Sequence, residues 1–238
     1  MGFIARAGSA GPQKKPNRFL RIFGRIVLVL LLAPALLILL FRFVPPPLTP
    51  LMVLRLAQGY GLNHSWIPYQ QINPFLVQAV IASEDDFFCQ ETSGFDIDAL
   101  AGQIAAWKRG ERPRGASTIT MQTARNLLLW PGRDPIRKLI EAWLTPQIAL
   151  LWPKQRVLEV YLNIIEFGPG IYGAEAASQQ FFGRSAATLT RDEAVRLAVV
   201  LPDPLHWSAA HPSAYQRERD GIIARRSEQL GALLDCTR

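Results

Sequence analysis

Three consecutive carboxylates, Glu84-Asp85-Asp86, stand between Ser83 and Phe87-Phe88 at the end of an apolar run. If that run is a helix, they sit at its C-terminus. There the macrodipole is already negative and neighbouring carboxylates repel, at up to about 1 kcal/mol per exposed charge. Flanking Ile81, Phe87 and Phe88 imply partial burial, which raises the pKa of a carboxyl group. A carboxylate held in this way can act as a general acid or base. A solvated acidic turn is the competing reading of the triplet alone.

A second segment, Gly115-Ala116-Ser117-Thr118-Ile119-Thr120-Met121-Gln122, leads into Arg125-Asn126. Hydroxyls and free amides at a helix N-terminus suit an anion or sugar hydroxyls, and equally a plain N-cap. Third comes Arg137-Lys138-Leu139-Ile140-Glu141, where Arg137 and Glu141 share a helix face. The pair is either a bland surface contact or an arginine held rigid for a phosphate. Lys154, Glu159 and Asn163 form a fourth polar cluster.

The elements that must carry these groups read as helices. Asn73 caps and Pro74 occupies the first position of one, with Phe75, Leu76, Ala79, Val80 and Ile81 on its apolar face. Asp96 opens a second, with Ile97, Leu100, Ile104 and Trp107 at helical spacing and Gly110 as its stop; Lys108 and Arg109 give it a cationic end. This apolar face fits either the core or a bilayer interface. Ser117 caps a third helix to about Leu128, and Asp134-Pro135 starts a fourth to about Leu151. A fifth begins at Pro153, and others cover about 172–182, 190–201 and 213–234. Residues 51–72 read as a loosely structured approach, residues 110–115 as a basic turn-rich loop, and no run of alternating strands stands out.

Of the formal charge of +7, six charges lie in residues 1–25, on Arg6, Lys14, Lys15, Arg18, Arg21 and Arg25. Residues 26–238 keep only +1, so the broad basic footprint of a nucleic-acid binder is missing. Next comes Ile26–Phe41, IVLVLLLAPALLILLF, extending to about residues 22–44 if the flanking arginines snorkel. About 20 such residues span a bilayer, and the basic flank stays on the cytoplasmic side. Phe-Val-Pro-Pro-Pro follows in place of a small-x-small cleavage site, which favours an uncleaved anchor over a signal peptide. Cys89 and Cys236 make no metal-site pattern, and their separation carries no pairing information; both are expected as unpaired thiols.

In order, Glu84-Asp85-x-x-Phe88, Gly94-Phe95-Asp96, Gly-x-Ser-Thr-Ile-Thr-x-Gln-x-x-Arg-Asn, Arg-Lys-x-x-Glu and Lys154-x-x-Val-Leu-Glu159-x-Tyr161-Leu162-Asn163 resemble the peptidoglycan glycosyltransferase family. The likeness covers about residues 66–207. A single anchor, no length for a transpeptidase domain and no Ser-x-x-Lys make it similar to the monofunctional members.

The resemblance implies a mostly α, lysozyme-like domain behind one N-terminal transmembrane helix. It divides the chain into a basic arm (1–21), an anchor (22–44), a linker and approach (45–72) and the catalytic domain (73–238). It implies an inverting transfer that polymerises lipid II into β-1,4-linked glycan strands and releases undecaprenyl diphosphate. Glu84 corresponds to the base and Glu141 to the second essential carboxylate. Asp85, Ser117, Thr118, Gln122, Arg125, Asn126, Arg137 and Lys138 fall at substrate-holding positions. Mg²⁺ is the cofactor expected at the diphosphate, with no organic cofactor. Expected partners are lipid II, the growing strand, the membrane and other cell-wall synthesis or division proteins, at the inner membrane with the catalytic domain in the periplasm.

The sequence departs from the family pattern in three places. Glu91 stands where a histidine is usual, in a segment Gln90–Ser93 that is one residue longer. Met121 replaces a glutamine, and Arg125 a lysine. A lytic glycosidase and a non-catalytic membrane-anchored scaffold are the rival readings. The cations Arg125, Arg137 and Lys138 argue against the first, since neutral sugar links give them nothing to hold.

Overall fold

The computed structural model describes residues 18–111, 115–132 and 134–237. Most of the basic arm, the centre of the 110–115 loop and Arg133 lie outside the described residues. The chain is mostly helical, with α1 (Arg18–Phe41), α2 (Pro50–Ala57), α3 (Pro74–Glu84), α4 (Ile97–Lys108), α5 (Ile119–Leu128), α6 (Pro135–Leu151), α7 (Lys154–Ile164), α8 (Ala174–Phe182), α9 (Arg191–Val200) and α10 (Ala214–Gln229). Three short strands, β1 (Asn63–His64), β2 (Glu166–Gly168) and β3 (Ile171–Tyr172), form a small sheet in the order β1-β3-β2. β3 runs parallel to β1 and antiparallel to β2. They are too short for any period-2 pattern to show in the sequence.

α3 is the central element. Leu76, Val77, Ala79, Val80, Ile81 and Ala82 are all buried, so the helix is apolar nearly all round, as a helix enclosed by others must be. It packs on α9 and α10, while α5 packs on α6 and α7. The Asn73 side chain accepts from the Phe75 amide, and Asp96 and Asp134 cap α4 and α6 as their sequence positions require. Capping boxes at Thr190/Glu193 and Ser213/Gln216 start α9 and α10.

The structure corrects several local expectations. Thr118, rather than Ser117, caps α5: its oxygen accepts from the Met121 amide, and its hydroxyl donates to the Gly94 carbonyl at 2.7 Å. Either hydroxyl can accept from a first-turn N–H, so sequence alone cannot choose between them. Pro153 is the residue before α7 rather than its first. The last helix ends at Gln229, and a 3₁₀ turn follows over Gly231–Thr237.

Residues 51–72 belong to the domain, because Leu51, Met52, Ile67 and Ile72 enter the core and α2 is a true helix capped by Thr49. The C-terminal end of α1 is also held. Trp152 Nε1 donates to the Ile38 carbonyl at 2.7 Å, Arg156 donates to the Phe41 and Val44 carbonyls, and Arg42 donates to the Leu151 carbonyl. These contacts fasten the C-terminal end of α1 to the ends of α6 and α7, and those to the Phe41 and Leu151 carbonyls serve groups at helix ends. From Arg21 to Phe41 the helix is long and apolar enough to cross a membrane, and its side chains are mostly exposed.

Cys89 and Cys236 are joined in a disulfide, contrary to the expectation of free thiols. It ties the segment after Glu84 to the C-terminal turn across 147 residues of sequence, a proximity that only the fold creates. The bridge closes a very long loop, so breaking it costs about 2–5 kcal/mol. We expect reductant to lower the melting temperature of the wild-type protein and to leave a Cys89→Ser/Cys236→Ser variant, already lowered, unmoved; thermal scans with and without reductant measure both.

Candidate active site

Each carboxylate of the triplet has found a different partner. Glu84, half-buried at the end of α3, accepts from Gln122 Nε2 at 2.8 Å and from the Ser83 hydroxyl at 3.3 Å. Asp85 turns inward and accepts from the Ile119 amide at 2.8 Å. That amide is the first of α5, so the carboxylate lies at a positive helix end and offsets the unfavourable end of α3. Asp86 pairs with Arg226 of α10.

Gln122 is buried and links two elements. Its amide donates to Glu84, and its carbonyl oxygen accepts from the Tyr161 hydroxyl of α7 at 3.1 Å. Burial, and then the charge of Glu84, push the Tyr161 phenol well above its ordinary value, so it stays a donor. Gly94 is the backbone point on which α5 rests. It has φ +80, and a Cβ there would lie 2.9 Å from the methyls of both Thr120 and Thr145, so only glycine fits.

These groups open onto a cleft of about 460 Å³, whose walls include Glu84, Asp96, Ser117, Gln122, Pro202 and Arg226. Glu141 stands behind that wall, 1% exposed. It pairs with buried Arg137 and accepts from Lys138 Nζ at 2.6 Å. Lys138, half-exposed, also donates to Ser117 Oγ at 3.2 Å on the cleft rim. Glu141 thus reaches the cleft through Lys138 and Ser117. The arrangement suits an oxyanion: a carboxylate fixes two cations, one of which remains accessible.

Arg125 and Asn126 lie elsewhere. They line a neighbouring cavity of about 350 Å³ with Arg55, Trp130 and Glu166, and Pro202 borders both spaces. Among the sequence-derived site residues, Glu84, Asp85, Ser117, Thr118 and Gln122 therefore line the first cleft, with Lys138 at its edge. Thr118 and Asp85 hold the loop and helix that shape it.

Sequence reasoning did not single out Tyr161 or Arg226 as site residues. Tyr161 lies within a quoted motif, and its spacing from Asn163 was the available signal. Arg226 had none, because α10 meets the cleft only in the folded chain.

Four ionisable groups gather behind the triplet. Burial pushes the Asp85 carboxyl up to about 6 and that of Glu91 up to about 8, the latter also through the Asp85 charge. Lys154 Nζ donates to the Phe88 carbonyl, lies 4.3 Å from the centre of the Phe88 ring, and is lowered by burial. Asp96 adds a further negative charge.

Residues 52–228 match the transglycosylase family, three-quarters of the chain. The chain belongs to this family. Its relatives include a biosynthetic peptidoglycan transglycosylase of Caulobacter vibrioides, 48% identical over 206 residues, covering 87% of this chain and 86% of that protein. Proteins of the same name from Pseudomonas fluorescens (48%; 88% and 91% covered) and Shewanella oneidensis (47%; 87% and 91%) are similarly related. The transglycosylase match begins inside α2.

Arg137 and Lys138 both face Glu141, but only Arg137 is buried. Removing one partner of a buried pair costs about 3–5 kcal/mol, against about 0–1 kcal/mol for an exposed one. Arg137→Ala is expected to destabilise this transglycosylase by about 3 kcal/mol, towards the low end because Lys138 remains. Lys138→Ala should cost under about 1 kcal/mol. Urea unfolding followed by tryptophan fluorescence compares the two.

Proposed function

We propose that this transglycosylase joins the sugars of lipid II into glycan strands, with Glu84 as the base. The observation that carries the reading is the pairing of a cleft-facing carboxylate, braced by Gln122 and Tyr161, with the Ser117–Lys138–Glu141–Arg137 chain on the same cleft. Glu84 takes the proton from the 4-hydroxyl of the acceptor sugar. The freed oxygen bonds to the donor anomeric carbon from the face opposite its diphosphate. The carbon–oxygen bond to the diphosphate breaks with inversion, and the lipid diphosphate leaves.

Lys138 takes up charge developing on the diphosphate, backed by Arg137, and Arg125 extends the cationic lining towards the second cavity. A Mg²⁺ held by protein groups alone, without substrate phosphate, does not fit these residues. Both oxygens of Glu141 are engaged by cations, those of Glu84 by Gln122 and Ser83, and no group of three or more His, Cys, Asp or Glu side chains among the described residues could hold a metal. No step here is routed through a metal ion.

The membrane reading follows from the substrate's lipid. α1 is the anchor, and α4, with no buried residue and with Ile97, Ile104 and Trp107 exposed, presents an apolar face beside the cleft loop. That supports an interfacial helix over core packing. The basic flank supports a domain on the far side of the inner membrane, in the periplasm, and the disulfide is in keeping with that compartment. Other wall-synthesis or division proteins remain partners by expectation from the family.

Detergent-purified protein incubated with fluorescent lipid II tests the assignment. Wild type is expected to yield polymer, and Glu84→Gln to lose about 10²–10⁴-fold of the rate, as removal of a general base does. Polymer formed by Glu84→Gln at the wild-type rate would remove Glu84 from the role. Cleavage of preformed strands without synthesis would favour the glycosidase, and no product of either kind the scaffold.

A further inference from the structure

Glu91 is 7% exposed, and among the described residues neither carboxyl oxygen meets an N–H or O–H donor. The group it faces is another carboxyl, Asp85, and the two interact as neighbouring buried acids. Two ionised carboxylates close together in a buried site repel. Such a pair is stable when one carries a proton and donates it to the other.

The surroundings decide which one. Asp85 already accepts from the Ile119 amide at a positive helix end, which favours its ionised form. Glu91 has no such donor. The charged groups facing the pair are Asp96 at the start of α4, which adds negative charge, and Lys154 of α7, whose ammonium donates to the Phe88 carbonyl rather than to either acid.

We propose that Glu91 is a positioning residue for the transfer reaction, a neutral carboxylic acid that donates its proton to Asp85 and so fixes the seat of α5. It touches no reacting atom. Its effect passes from Glu91 to Asp85, from Asp85 to the first amide of α5, and along one helical turn to Gln122 and the Glu84 carboxylate. This rests on the transferase reading for its kinetic consequence and on the geometry alone for its effect on stability.

Both acids titrate above their ordinary values in the fold, so the folded state binds more protons than the unfolded one. Their contribution is therefore complete at acid pH and is lost as pH rises, with the last of it gone above about 8, where Glu91 ionises.

The experiment uses the full chain in detergent, with Glu91→Gln and Glu91→Ala. Glutamine keeps a neutral donor for Asp85 and has no proton to lose. Between pH 7 and pH 9 wild-type kcat is expected to fall about ten-fold, one pH unit beyond the Glu91 transition. Over that range Glu91→Gln should change by less than about two-fold, with its pH 7 rate within about three-fold of wild type. Glu91→Ala should lower kcat by about ten-fold or more at pH 7, with KM for lipid II little changed.

The second readout is independent of catalysis: the melting temperature should drop between pH 7 and 9 in wild type and stay level in Glu91→Gln. An alkaline fall in melting temperature that survives in Glu91→Gln overturns the proposed proton. A level profile in that variant without any change in the kcat profile keeps the proton but overturns the positioning role. Loss of polymer synthesis in wild type itself would instead reject the transferase reading.

Discussion

The hydrogen bond from the first amide of α5 to the Asp85 carboxylate holds the active region together. α3 delivers Glu84 at its C-terminus, the electrostatically wrong end for a carboxylate, and α5 begins nearby with unsatisfied amides. Joining the two ends cancels both liabilities. It also fixes the register of α5, so that Gln122, one turn further on, arrives 2.8 Å from Glu84. The hydroxyl of Thr118 on the Gly94 carbonyl repeats the fastening one residue earlier, through a glycine whose position excludes any side chain.

The second half of the site follows a different principle. Glu141 is sunk below the surface and serves to organise cations rather than to face the cleft. Arg137 is buried with it, and Lys138 is left half-exposed and directed at Ser117. A buried carboxylate that pins two positive groups makes a preorganised anion site at a cost in desolvation, which the paired charges and their hydrogen bonds offset. The two carboxylates of the motif pattern therefore have unlike environments and unlike work.

Much of this was legible along the chain. The caps at Asn73, Asp96 and Asp134, the apolar spacing of α3 and the arginine–glutamate pair at i, i+4 are local facts, encoded within a turn or two of helix. The strands were not legible, because two- and three-residue elements carry no period. Nor was the choice between Ser117 and Thr118 as cap, which depends on where the Gly94 carbonyl lies. Asp85, expected at a substrate-holding position, lines the cleft and also accepts from the first amide of α5, a helix end that sequence cannot place.

The sequence by itself determined the helical class, the membrane-length apolar segment and the ordered motifs, among them the candidate carboxylate Glu84, since each rests on spacing within one element or on side-chain chemistry. Tertiary structure alone decided the Cys89–Cys236 bridge, the clamp of Trp152 and Arg156 on the end of α1, the arrival of Arg226 at the cleft and the burial of Glu91 near Asp85. The bridge, the clamp and Arg226 join residues about a hundred or more positions apart. Glu91 and Asp85 are near in sequence, yet whether their carboxyls face water or each other depends on how the intervening loop is buried, and burial is a property of the whole packed chain.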